Sequence, residues 1–228
     1  MLIRPGSLSQ TVDAINAASY ERAVLSAHER KAAARWIVGR QGLPGAYADT
    51  FAGFPSEREK GIVLFTGERI TSASARHILG EEACRVLRLL AVRDDKVDVA
   101  LDRAEAGLMR CLDRAALDPR NTNPGLYCCG KCSVGLWRNL LAGGMNRQEE
   151  RLRHGVGHLR SMRDGKGQWR RFPFWYTVLA LSEMDVPEAS KELKYAGASL
   201  ALVAKRAPSS ASSSRRRHEL AKRALGRT

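Results

Sequence analysis

Long apolar runs are missing from this sequence. No window approaches the roughly 18 to 20 consecutive apolar residues that a helix needs to cross a bilayer, so no membrane span is expected. The first 20 residues are polar and rich in Ala and Ser. They lack the apolar centre of a secretory signal, and the expected compartment is the cytoplasm. A disulfide framework is missing too. The cysteines are Cys84, Cys111, Cys128, Cys129 and Cys132, an odd number with three crowded into five residues, which suits thiols used for burial, metal ligation or redox chemistry. Strand signals are few: residues 61–66 (GIVLFT) could form one strand, and one strand makes no sheet. Aromatics make up 6% of the chain and do not interleave with basic residues as in a single-strand nucleic-acid binder.

What is present is enough for a core and an excess of positive charge. The 228 residues are 44% hydrophobic, which suits one globular domain with appendages and excludes global disorder. Lys and Arg number 38 against 24 Asp and Glu, a net charge of +14. Half of that excess lies in residues 205–228, where eight Lys/Arg face Glu219 alone. The expected organisation is an N-terminal arm (1–20), a helical-hairpin domain (21–204) and a disordered basic tail (205–228) entered through the Ser-rich stretch 208–214. Arg215, Arg216 and Arg217 would give that tail non-specific contact with nucleic acid. The alternative is a tail that only solubilises.

The apolar spacing is helical nearly throughout. It predicts helices over 20–40, 74–92, 97–116, 128–142, 148–163, 174–184 and from Pro187 to about residue 204, with a Gly-rich and aromatic-rich connection over 45–70. A helix, a Gly-containing loop ending near an aromatic and a second apolar helix recur three times, in units of about 21–92, 97–144 and 148–204. Hairpins repeated in this way pack side by side, each covering the apolar face of the next.

In the third unit, Asp164-Gly165-Lys166-Gly167-Gln168-Trp169 precedes the apolar run Tyr176-Thr177-Val178-Leu179-Ala180-Leu181. These residues resemble the repeat of the terpenoid cyclase and protein prenyltransferase superfamily over about 30 residues. The resemblance implies an all-α fold of antiparallel helical hairpins like part of an α/α toroid. It also implies an interior pocket for an apolar small molecule, lined by the second helix of each hairpin. Trp169 and Tyr176 would border that pocket. The Asp-x-Asp-Asp motif of squalene-type cyclases is absent.

The sharpest chemical signal is Tyr127-Cys128-Cys129-Gly130-Lys131-Cys132 at a predicted helix start, where amides and the helix dipole lower thiol pKa values. On the preceding inner helix His77, Glu81, Cys84 and Arg88 share one face. Two neighbouring helices would then aim His77, Cys84, Cys128 and Cys132 into one cavity. That set suits zinc, or a thiolate nucleophile with a histidine partner, with Cys128, Cys132 and His77 as the reactive groups. Against this stands plain burial of small apolar thiols. A second metal pairing, Cys129-x2-Cys132 with His154-x3-His158, is set aside because 21 residues separate the halves. Residues 125–132 approach a P-loop but follow DPRNTNP, which is no buried strand. Asp94-Asp95-Lys96-Val97-Asp98 matches a diphosphate-binding acidic motif, yet an acidic helix N-cap explains it more cheaply. Three functional classes follow: a prenyltransferase- or cyclase-like domain, a helical-repeat adaptor binding protein or nucleic acid, and a cysteine-ligated metalloprotein. Oligomerisation is compatible with each.

Overall fold

The computed structural model describes residues 2–117, 125–126 and 128–227. The loop expected over 118–125 and the aromatic at position 127 therefore lie largely outside the described residues. Within them the chain is all-α, with eleven helices and one two-stranded sheet. In chain order these are α1 (Leu8–Tyr20), α2 (Ala27–Val38), α3 (Pro55–Lys60), β1 (Ile62–Val63), β2 (Arg69–Ile70), α4 (Ser74–Leu90), α5 (Asp95–Ala116) and α6 (Gly130–Leu141). They are followed by α7 (Gln148–Ser161), α8 (Phe174–Glu183), α9 (Pro187–Tyr195), α10 (Gly197–Ala204) and α11 (Ser212–Leu225). Among the described residues no helix is long and apolar enough to cross a membrane.

A row of three apolar helices forms the centre. α4 packs on α6 and α6 on α8; α1, α2 and α5 lie against α4, α7 against α6, and α9 and α11 against α8. Thirteen of the seventeen residues of α4 are buried, far more than one amphipathic stripe. Close approach of the central helices depends on small residues. At Gly135 a Cβ would sit 3.5 Å from the Ile78 Cα and 3.5 Å from the Tyr176 hydroxyl, so α6 comes near both neighbours at one point.

The starts of α1, α2 and α5 carry side-chain caps, from Ser7, Ser26 and Asp94. Asp94 caps α5, its carboxylate accepting from the Lys96 amide at 3.1 Å, which leaves the acidic run as a cap. α2 begins with a capping box from Ser26 and Glu29. Two helix starts are closed by carboxylates from the connection between α2 and α4. Glu57 accepts from the Ser9 amide at 2.7 Å at the start of α1, and Glu68 from the Trp175 and Tyr176 amides at 2.9 and 3.0 Å at the start of α8. That connection also makes the small sheet: Ile62 pairs with Ile70, so the run at 61–66 found a partner strand only seven residues on.

Two expectations are corrected. Residues 1–20 are no arm, since α1 buries Leu8, Val12 and Ile15 in the core. The tail is no disordered segment either: α11 buries His218, Leu220, Ala221 and Ala224. Its basic run masks an apolar face one helical turn further on. Arg216 pairs with Asp13 at 2.8 Å, and the Arg217 Nε donates to the Thr66 carbonyl at 2.6 Å. Two of the three arginines assigned to nucleic acid are therefore turned onto the body, while Arg215, bonded to the Ser210 carbonyl at 2.6 Å, is exposed.

One glycine gives a direct test of packing. A Cβ at Gly107 in α5 would overlap the Ala48 carbonyl oxygen, a backbone atom that cannot swing aside. Gly107→Ala is expected to destabilise by about 1–3 kcal/mol. Gly157→Ala on α7, where a Cβ meets nothing within 4 Å, should stabilise by about 0.5–1 kcal/mol. Urea midpoints of the two variants check the contrast.

Candidate metal centre

The site forms where the start of α6 meets the first turn of α4. Cys129 is the N-cap residue of α6 in extended conformation (φ −136°, ψ 170°), and Cys132 enters the first turn behind it. His77 comes from α4 one turn after its start. The Cys129 and Cys132 sulfurs are 3.5 Å apart, far beyond the ~2.05 Å of a disulfide, so the pair is a dithiol. The Cys132 sulfur lies 3.4 Å from His77 Nδ1. Ligand atoms of His77, Cys128 and Cys132 all lie within 4.8 Å of one another. His77 and Cys132 are buried, whereas Cys128 and Cys129 are exposed, so the cluster opens on one side.

Several groups hold it in place. The His77 ring stacks on Tyr47 with centroids 3.7 Å apart, and Ser74 Oγ stands 3.4 Å from the Cys129 sulfur. Tyr47 in turn lies in hydrogen-bonding contact with Cys111 of α5, and burial followed by that contact raises its phenol pKa. Burial, helped by neighbouring Arg76, lowers the His77 pKa and favours the neutral imidazole that metals require. The thiols are strongly split. A hydrogen bond from Cys132 lowers the Cys129 pKa to about 4, aided by Ser74 and the amides of residues 131 and 132 at the helix start. The same bond, then burial, raises Cys132, while burial and the Cys129 charge raise Cys128. One thiolate thus shares protons with two thiols, which a cation would displace.

Of the residues proposed from sequence, His77, Cys128 and Cys132 are brought together. Cys84 is not part of this group. It lies two turns along α4, about 10 Å from His77 in axial rise, and its burial beside Glu81 and Glu105 pushes its thiol pKa well up. A shared helix face says nothing about distance along the axis. Glu81, on that face too, accepts from Asn139 Nδ2 at 2.8 Å. Arg88 pairs with Glu105. Trp169 and Tyr176 are 3% and 1% exposed and hydrogen-bonded, Trp169 to Glu192 at 2.9 Å and Tyr176 to Glu82 at 2.6 Å. His154 is exposed on α7, and His158 rests near Phe172 with ring centroids 6.3 Å apart; neither belongs to the group around Cys132.

No family model, curated protein or solved structure matches this chain. Sequence reasoning missed the roles of Tyr47, in the Gly-rich and aromatic connection, of Cys111 on α5 and of Ser74 at the start of α4, and it placed Cys129 only in a pairing with His154 and His158 that it set aside.

Proposed function

We propose that this chain is a helical metalloprotein whose His77, Cys128, Cys132 and Cys129 bind a soft divalent cation, zinc being the natural occupant. The observation that carries the reading is the spacing of the donors. With Zn–S near 2.3 Å and Zn–N near 2.0–2.1 Å, the edges of a tetrahedron measure about 3.5–3.8 Å. The Cys129–Cys132 S···S separation of 3.5 Å and the Cys132–His77 S···N separation of 3.4 Å come close to that length, and the donor atoms of His77, Cys128 and Cys132 lie within 4.8 Å of one another. Three donors come from five residues of one chain segment and the fourth from another helix, so the cation would tie the start of α6 to α4. His77, Cys128 and Cys132 supply three mutually close donors, and Cys129, 3.5 Å from Cys132, would close on the cation as the fourth; a shell of four protein donors makes a structural role the better reading.

The prenyltransferase- or cyclase-like alternative rests on the loop from Asp164 to Trp169. That loop is tightly built: Asp164 Oδ1 accepts from the amides of residues 166 and 168 at 2.7 and 3.0 Å, and Gly165 and Gly167 both take φ +83°. Such a reading needs room for substrate beside the thiolates, and the packing of Trp169 and Tyr176 does not supply it. Thiol–disulfide exchange is favoured by one separate observation, the low pKa of exposed Cys129 with Cys132 behind it.

Metal analysis of the purified full chain separates these readings. About one zinc per chain is expected, lost in Cys132→Ser and His77→Ala and retained in Cys84→Ala. A chain that takes up no zinc when reconstituted under reducing conditions, yet forms the Cys129–Cys132 disulfide, would establish exchange instead.

A further inference from the structure

A cleft of about 450 Å³ opens between α1, α4, α6, α8 and α11. This volume falls in the range of small-molecule sites, roughly 300–1,000 Å³. Five arginines line it, Arg22, Arg85, Arg138, Arg223 and Arg227, against the single carboxylate of Glu183. Arg85 and Arg138 form its floor, 9% and 2% exposed, while the other three are exposed at the rim.

The charges do not balance. Arg138 is matched by Glu82 behind it and by Glu183, whose carboxylate it meets through Nε at 2.9 Å and Nη2 at 3.0 Å. Arg85 shares the same Glu183 oxygen at 3.0 Å and otherwise bonds the neutral Asn16 Oδ1 at 2.5 Å. Two carboxylates therefore face five guanidinium groups. α1, α8 and α11 also end here, and each helix C-terminus contributes about half a negative charge. Arg223 and Arg227 each give one nitrogen to carbonyls there, those of Tyr20 at 3.4 Å and Met184 at 2.7 Å. Even with these dipoles, and with Glu219 of α11 near Tyr20, the cleft retains a net positive charge. Desolvated like charges repel strongly, and an arginine-lined floor is stabilised when an anion completes it. A further donor waits nearby: Tyr20 lines the cleft, and its hydroxyl is buried without a hydrogen-bond partner among the described residues.

We infer that this cleft is a binding site for a small phosphate-bearing anion, held by the exposed rim arginines Arg22, Arg223 and Arg227 above the positively charged floor of Arg85 and Arg138. Planar guanidinium forks match phosphate oxygens two at a time, which a lysine-lined surface would not do. Enclosure and the buried floor select a small ligand over the extended backbone of a nucleic acid. The site lies apart from the cysteine cluster and does not depend on the metal reading.

The probe is inorganic phosphate, titrated into the full chain by calorimetry and by thermal unfolding, with chloride added to keep ionic strength constant. Saturable binding near one phosphate per chain is expected, with a rise in Tm that tracks occupancy. The rim variant Arg223→Ala/Arg227→Ala leaves the buried floor intact and should weaken phosphate binding at least tenfold. Its far-UV circular dichroism should match that of the parent and its unfolding without phosphate should stay cooperative, with Tm lowered by the lost ties to Tyr20 and Met184, so the comparison is of the phosphate-induced rise. Arg215→Ala, outside the cleft, should bind as the parent does. Absence of saturation, or an equal Tm rise in the parent and the rim variant, would overturn the assignment and mark the effect as general salting.

Discussion

Arg138→Ala is expected to destabilise the protein by about 3–5 kcal/mol, the loss typical when one member of a buried ion pair is removed. Arg138 is 2% exposed and pairs with Glu82 and Glu183. Glu82 is 5% exposed, and its other oxygen accepts from Asn16 Nδ2 at 3.0 Å. Burial alone would raise the Glu82 pKa; Arg138 first, then Arg85, Tyr176 and Asn16, outweigh it and hold the carboxyl below the usual range. Without Arg138 the carboxylate loses its main counter-charge. It must then protonate or draw in water, and both erode the packing of α4 on α6 and α8. Because the folded pKa lies below the unfolded value, the contribution of Glu82 is present above pH ~4.5 and fades as pH falls through the folded pKa. Arg138→Ala should therefore flatten the acid limb of the stability curve. Denaturant unfolding at pH 7 and pH 4 measures both effects. A combined Arg138→Met and Glu82→Gln variant should recover part of the loss, since it removes both charges together. A single-variant loss below about 1 kcal/mol would show the network to be hydrated.

The second large effect is expected from the metal. If zinc binds only the folded chain, free zinc at 1,000 times Kd stabilises by about 4 kcal/mol. For a chain of 228 residues that corresponds to roughly 10 °C in Tm. Chelation should produce a drop of that size in the parent and in Cys84→Ala, and none in Cys132→Ser or His77→Ala, which begin at the lower temperature. The comparison with Cys84→Ala matters because both cysteines are fully buried, and only one lies at the cluster. Equal chelator sensitivity in all four proteins would place the metal elsewhere.

Much of the helical architecture was legible because local patterns carry it. Predicted spans at 74–92, 97–116, 148–163 and 174–184 lie within two residues of α4, α5, α7 and α8 at each end. Apolar spacing, caps and Gly stops are short-range signals. His77, Cys128 and Cys132 were legible for a different reason: rare residue types at a helix start stand out. What escaped was decided at long range. No local pattern announces that Tyr47 stacks on His77, or that Asn16 reaches Glu82 across 66 positions. Glu81 was expected on an inner face of α4, but nothing local marks Glu82 and Arg85 as buried too; all three are buried because partners from α1, α6 and α8 satisfy them. Residues 205–228 misled for a related reason. Serines and arginines dominate the composition there, and the three or four side chains that dock α11 are too few to register.

The bonds from α11 to α1 also bear on the order of events during synthesis. Arg216 and Asp13, and Arg223 and the carbonyl of Tyr20, each join positions 203 residues apart. Closing loops of that length is entropically slow, and a ribosome adds only about 5–20 residues per second. Asp13 and the C-terminal carbonyl of α1 must therefore wait some ten seconds or more for their partners, and the end of α8, about 30–40 residues ahead of α11, waits a few seconds for its cover. A nascent chain in that interval presents the kind of sticky surface that holdase chaperones recognise.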